Sequence, residues 1–184
     1  MLVAICTSRP PCKKDEKARI FTADRQSYGE SRSIPLAREN TQVASGQPRS
    51  MLLVCIGNTC RGPMAEELAK RRWPTTQIKS VGVKATARSA ATEAIVVMRD
   101  HFQADISQHK PLSIADVDPR GYEIVVCLEK RKLAHLTNGY TPPLEKVIDL
   151  HVDDPEGTDL QTYLECAERI DTRLMELQQL LERA

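Results

Sequence analysis

Aromatic residues are scarce in this 184-residue chain, which has two Phe, four Tyr and one Trp, 4% of the whole. That is too few for a surface that stacks nucleobases. A formal charge of +1 adds no electrostatic footprint for nucleic acid, so none is expected as a partner. Long apolar runs are lacking too. Nothing approaches the ~20 residues of a membrane span, and no membrane association is expected. The six cysteines have no framework spacing, which excludes a disulfide scaffold and points to a reducing cytoplasm. No His or Cys pair stands at zinc-ligand spacing, so neither metal nor cofactor is expected. Internal repeats are absent, and nothing in the composition indicates an oligomeric state.

The charge that is present is uneven. Residues 1–50 carry nine Lys/Arg against five Asp/Glu, a net of +4, whereas residues 51–184 have a net of −3. The first fifty residues also hold Pro10, Pro11, Pro35 and Pro48 and show no sustained periodicity. They are expected to form a poorly ordered extension, with one folded domain over 51–184. The apolar run 1–6 is too short for a signal-peptide core. Asp15, Glu16, Asp24, Glu30 and Glu39 argue against a mitochondrial transit peptide. Cys6 and Cys12 lack a second ligand pair and read as free thiols.

One segment carries chemistry. Residues 51–67 read M-L-L-V-C-I-G-N-T-C-R-G-P-M-A-E-E. An apolar run ends at Cys55, Arg61 follows six residues later, and a helix-forming stretch begins at once. A strand-loop-helix turn presents main-chain N–H groups and a helix N-terminus to an anion. The same positive end favours a thiolate, so Cys55 is expected to be an ionised sulfur open to solvent with a lowered pKa. Arg61 supplies a planar fork matched to phosphate oxygens. A nucleotide P-loop is excluded, because Gly62-Pro63-Met64 provides neither the Lys nor the hydroxyl for magnesium. Cys60 reads as a small apolar residue at the helix start.

The wording of this segment resembles the low-molecular-weight protein tyrosine phosphatase family, whose signature runs approximately V-C-x-G-N-x-C-R-S-P-x-A-E. The resemblance implies a phosphate-binding loop of Ile56, Gly57, Asn58, Thr59, Cys60 and Gly62. Within it, Cys55 is the implied nucleophile and Arg61 the residue that binds phosphate and stabilises the transition state. Asn58 is implied to hold the loop's unusual backbone. Cys60 acquires a second reading, as the partner of a reversible disulfide that shields Cys55. Gly62 departs from the family's Ser, whose hydroxyl donates to the thiolate. Its loss is expected to raise the Cys55 pKa and slow the second chemical step, and Gly62→Ser to raise turnover.

Beyond the loop the chain alternates between apolar runs and amphipathic stretches. Strands are expected over 51–55, 77–83, 122–128 and 146–150. Helices are expected over 63–73 and 90–102, and a long final helix carries an apolar stripe from Leu160 to Leu181. The order implies an α/β fold, a parallel sheet covered on both faces, with the site at the carboxyl ends of the strands. The family's four-stranded parallel sheet in three layers agrees. Lys130-Arg131-Lys132 reads as a solvated helix face. His101 and His135 read as surface or boundary residues on helices, and His109 as structural.

Cleaving a phosphate ester needs a general acid on the leaving-group side. The family places its proton donor in an Asp-Pro pair after the last strand, and Asp154-Pro155 matches it. Asp154 is therefore the implied acid, and the base when water attacks the phosphocysteine. Asp153 is expected to face solvent, and His151 to lie close enough to tune the acid. The implied activity is hydrolysis of phosphotyrosine-type phosphomonoesters on a phosphorylated protein. Three alternatives stand beside it. Thr59 resembles the residue found in phosphoarginine phosphatases, and no aromatic residue flanks the Asp-Pro or occupies 83–89 to wall a tyrosine ring. Arsenate reduction is disfavoured, since no Cys lies in 83–110 to relay a disulfide. A catalytically weak phosphate-binding module is motivated by Gly62.

Overall fold

The computed structural model describes residues 47–129 and 147–183. The extension up to residue 46, with Cys6 and Cys12, lies outside the described residues, as do Lys130-Arg131-Lys132, His135 and Lys146. Among the described residues seven strands and helices follow in order. They are β1 (Ser50–Cys55), α1 (Arg61–Arg72), β2 (Gln77–Gly82), α2 (Thr92–Phe102), β3 (Ile124–Cys127), β4 (Val147–Asp149) and α3 (Leu160–Arg183). Two short 3-10 turns, Ile114–Asp116 and Pro119–Gly121, precede β3. The strands form one parallel sheet in the order β2-β1-β3-β4.

The strands and helices expected within the described residues are present, with shifted ends. Successive side chains of a strand face opposite sides, and β1 uses both. Met51, Leu53 and Cys55 join the core beneath the three helices. Leu52 and Val54 pack with Val81, Val125 and Cys127 on the other face, under Leu112, Ile114, Val117 and Tyr122. A strand buried on both faces reads as a continuous apolar run, and M-L-L-V-C is one.

α1 begins at Arg61, two residues ahead of expectation, which leaves Pro63 in its first turn where a missing N–H costs nothing. Lys70, Arg71 and Arg72 fill its last turn, opposite in sign to the exposed carbonyls there. α3 is capped by Asp159, whose Oδ1 accepts from Thr162 N at 2.9 Å. Tyr163, Cys166, Ala167, Ile170, Leu174, Leu177 and Leu181 make its buried stripe. Leu160, expected in that stripe, is 49% exposed because it sits in the first turn, ahead of the helix's contact with the core.

β1 is central, so its carboxyl end opens onto loops from both neighbours. Val83 N and Lys84 N donate to Cys55 O and Ile56 O at 3.1 and 2.8 Å, and Ala91 N donates to Thr59 O at 2.9 Å. The 83–91 segment is thereby laced along one side of the phosphate-type loop. On the other side, Leu128 N donates to Val54 O and Val152 N to Leu128 O, at 2.9 and 2.7 Å. These bonds carry the loop after β4 up against the end of β1.

Candidate active site

The loop 56–60 turns back over the end of β1. Its sharpest point is Asn58, held at φ 55, a left-handed conformation that Asn tolerates better than most residues. That turn aims Asn58 N at Cys55 Sγ, 3.2 Å away. Asn58 Nδ2 donates to Ser80 O at 3.0 Å and so ties the loop to β2. Ser80 is clamped in turn, its N and Oγ donating to Glu66 Oε2 at 2.8 and 2.6 Å. His109 hydrogen-bonds the Asn58 main chain, and burial lowers its pKa.

Cys55 departs from expectation in one respect. The residue is only 4% exposed, and burial pushes its thiol up to about 11. Arg61 and the N–H groups of Asn58 and Gly62 pull the other way, while Asp154 adds to the upward push. The cradle of donors that should favour a thiolate is thus present, but the cost of burying a charge outweighs it.

Arg61, at the start of α1, is buried with its guanidinium aimed across the loop. Nη2 pairs with Asp154 Oδ2. Nη1 donates to Val152 O at 2.9 Å and to Glu129 Oε2 at 3.2 Å. The structure therefore brings the predicted nucleophile, cation and acid to one point, from β1, α1 and the loop after β4. Asp154 also accepts from Glu156 N at 3.3 Å, which fixes the turn over Pro155. Asp153 is exposed, as expected. His151 pairs with Asp149, Nδ1 to Oδ2 3.3 Å. Among the described residues, no cluster of His, Cys, Asp or Glu could hold a metal ion.

Three participants were missed in the sequence. Glu129 follows β3 and shares Arg61 with Asp154. Tyr163, from α3, places its hydroxyl 3.2 Å from Cys60 Sγ, and Thr59 Oγ1 lies 3.5 Å from the same sulfur. Cys166, one turn on, packs under the acid loop with Sγ 3.7 Å from Asp153 O. The only signal for Tyr163 and Cys166 was their place on the buried stripe of α3. Gly62 is the more tightly enclosed of the loop's two glycines. A Cβ there would lie 2.1 Å from Asn58 Oδ1 and 3.1 Å from Cys55 Sγ.

A parallel α/β sheet whose central strand ends in a Cys-x5-Arg anion loop, faced by an Asp-Pro loop, defines a phosphate-handling class of protein. The chain belongs to the low molecular weight phosphotyrosine protein phosphatase family, whose model matches residues 50–184. Among similar proteins is the low molecular weight protein-tyrosine-phosphatase Wzb of Escherichia coli (strain K12). It is 34% identical over 87 residues, 47% of this chain and 59% of that protein. The chain thus spans about three-fifths of the length of the curated relatives it matches first. Of solved structures, the low molecular weight protein tyrosine phosphatase from T. tengcongensis is 28% identical. It superposes with a TM-score of 0.65 over 71% of this chain and 98% of its own. The YwlE arginine phosphatase from Geobacillus stearothermophilus shares the fold at 22% identity, with a TM-score of 0.62 over 74% and 94% of the two chains.

Proposed function

We propose that this protein hydrolyses phosphomonoesters on phosphorylated proteins, phosphotyrosine among them, through a phosphocysteine intermediate. The convergence of Cys55, Arg61 and Asp154 on one point carries the reading. Cys55 Sγ attacks phosphorus while the bond to the leaving oxygen breaks, and Asp154 gives that oxygen its proton. Arg61 and the loop N–H groups hold the phosphoryl oxygens as charge redistributes over them. Water then attacks the phosphocysteine, Asp154 takes its proton, and the thiolate leaves with release of phosphate. Glu129 and Val152 O hold the guanidinium in register. The name of the Escherichia coli relative, a protein-tyrosine-phosphatase, supports this activity.

The described cysteines form no disulfide among themselves, which suits a reducing, cytoplasmic setting. No helix of the described residues is long and apolar enough to cross a membrane. The N-terminal residues, through about position 50, form an appendage to the catalytic domain in this reading.

A second reading, hydrolysis of phosphoarginine, is favoured by the mouth of the site. Exposed Asp153 and Glu156 stand beside Asp154, with no aromatic wall at 83–89 or 156–158, and such a rim suits a cationic guanidinium leaving group. The test is steady-state hydrolysis of an aryl phosphate, then of phosphotyrosine and phosphoarginine peptides at equal concentration. Turnover abolished in Cys55→Ser, with a phosphorylated Cys55 captured by rapid quench in Asp154→Ala, is the expected result. No hydrolysis of any phosphate compound by the intact protein would overturn the enzyme reading.

A further inference from the structure

A cavity of about 390 Å³ lies between α1, β2 and the segment that follows α2. Cys55, Arg61 and Asp154 do not line it, so it is separate from the site described above. Every carboxylate in its wall is engaged. Glu66 accepts from Lys70 Nζ at 2.6 Å and from both N and Oγ of Ser80. Glu67 is paired with Arg71, and Asp105 accepts from Ser107 N at 2.8 Å. Lys79 and Lys110, exposed on the same wall, have no partner among the described residues. The cavity therefore has unanswered positive charge, which favours an anion. Ile106 and Leu112 add an apolar strip on which the carbon skeleton of an organic anion can lie.

One buried group of the wall also lacks a partner. His109 lines the cavity, and its Nε2 is buried with no hydrogen-bond partner among the described residues. The bond from the ring to the Asn58 main chain is therefore made by Nδ1. Burial keeps the imidazole neutral at neutral pH, which leaves Nε2 a bare acceptor. Such an atom is costly and calls for a donor, for which a hydroxyl is suited. A donor reaches it only if the ring tilts, and the ring is what holds Asn58.

We propose that this cavity is a second binding site, for a small organic polyanion that carries a hydroxyl, and that its occupancy is transmitted to the phosphate loop through Asn58. Two residues of the wall hold Asn58. His109 bonds its main chain, and Ser80 O accepts from its Nδ2 at 3.0 Å. Asn58 in turn makes the left-handed turn of the loop and aims its N–H at Cys55 Sγ. An anion on Lys79 and Lys110 also competes with Glu66 for Lys70, and so alters the clamp on Ser80. A ligand that changes both supports of Asn58 binds its two arrangements with different affinity, which is the condition for coupling between sites. The inference goes beyond the proposed activity, since it requires nothing of Cys55 or Asp154 as reacting groups.

Citrate is the probe, because it combines carboxylates with a hydroxyl and contains no phosphate ester. It is titrated into the intact protein at constant ionic strength and followed by amide proton–nitrogen correlation spectra. The readout is binding and not turnover, so it decides the inference even if the protein hydrolyses no phosphate compound. Saturable shifts are expected at Ser80, Ile106 and Leu112, with Asn58 moving at the same midpoint. Lys79→Gln combined with Lys110→Gln should weaken binding about tenfold, the loss of two exposed charge contacts. Either single variant should lose about threefold and decides the point if the double variant fails to fold. Tricarballylate, which is citrate without the hydroxyl, should bind more weakly, and equal affinity would remove the hydroxyl from the proposal. Shifts confined to Gly57 and Gly62 would mean that the anion enters the phosphate loop alone and would overturn the second site. Undiminished binding in the lysine variants would overturn it as well. Cavity shifts with Asn58 unmoved would overturn the transmission.

Discussion

Arg61 and Asp154 hold each other. The guanidinium at the start of α1 is paired with the carboxylate after β4, across 93 positions of sequence. The cation that the proposed chemistry needs for phosphate and the acid it needs for the leaving group thus share one interaction. A phosphoryl group bound by Arg61 competes for the same donors and frees the carboxyl for the leaving oxygen. Asp154→Ala is accordingly expected to cut kcat by about 10²–10³, the range for loss of a general acid. The loss should be smaller for p-nitrophenyl phosphate, whose leaving group needs little protonation, than for phenyl phosphate. Equal losses on the two substrates would remove Asp154 as the proton donor. KM should not rise, since Arg61 loses a competitor for phosphate.

Glu129 provides a separate test of how Arg61 is aimed. Its carboxylate and the Val152 carbonyl fix Nη1, whereas Asp154 takes Nη2. Glu129→Ala should raise KM for an aryl phosphate about tenfold, in line with the loss of one hydrogen bond to a charged group. Glu129→Gln retains an acceptor at that place and should recover most of the loss. If the Gln variant is as poor as the Ala variant, the charge of Glu129 matters and its geometry does not.

Much of this arrangement could be read from the sequence because it is local. The Cys-x5-Arg spacing lies within one strand-loop-helix turn, and the elements follow from apolar runs and helical periodicity. Glu129 was not legible, since its link to Arg61 exists only once β3 is laid beside β1. The contact of Tyr163 with Cys60 spans 103 positions and depends on how α3 docks on the sheet. The burial of Cys55 was misjudged for a related reason. The donors that favour a thiolate lie in the local motif, whereas the burial that opposes them is set by the whole fold.

That burial carries a consequence for stability at high pH. Burial raises the Cys55 thiol from an ordinary 9.0 to about 11, and the Cys166 thiol to about 12. Between pH 9 and 11 the unfolded chain releases these protons while the fold retains them. Stability is therefore whole below pH 9 and declines as the pH climbs, by on the order of 1 kcal/mol per thiol for each pH unit in that window. Urea midpoints measured at pH 8 and pH 10 should show the decline, and Cys55→Ala should lessen it, leaving the part that Cys166 contributes. A decline that is identical in Cys55→Ala would show that the sulfur ionises in the fold as readily as in the unfolded chain.

We propose that Cys60, held by Tyr163, sets how the site meets an oxidant. Peroxide converts the Cys55 thiolate to a sulfenic acid with loss of hydroxide. A thiol at Cys60 can then displace water from it to form a disulfide, which a dithiol reduces back. The Tyr163 hydroxyl, 3.2 Å from Cys60 Sγ, holds that thiol toward α3. Tyr163→Phe deletes one oxygen and keeps the ring in the core, so it should release Cys60 and speed disulfide formation severalfold without altering basal turnover greatly. Cys60→Ser should leave the oxidised Cys55 without a partner, so that repeated peroxide exposure inactivates the enzyme beyond recovery by dithiothreitol. The check is recovered aryl phosphatase activity after a peroxide pulse, with the 55–60 disulfide followed by mass. Full recovery in Cys60→Ser would show that Cys60 does no more than fill the start of α1.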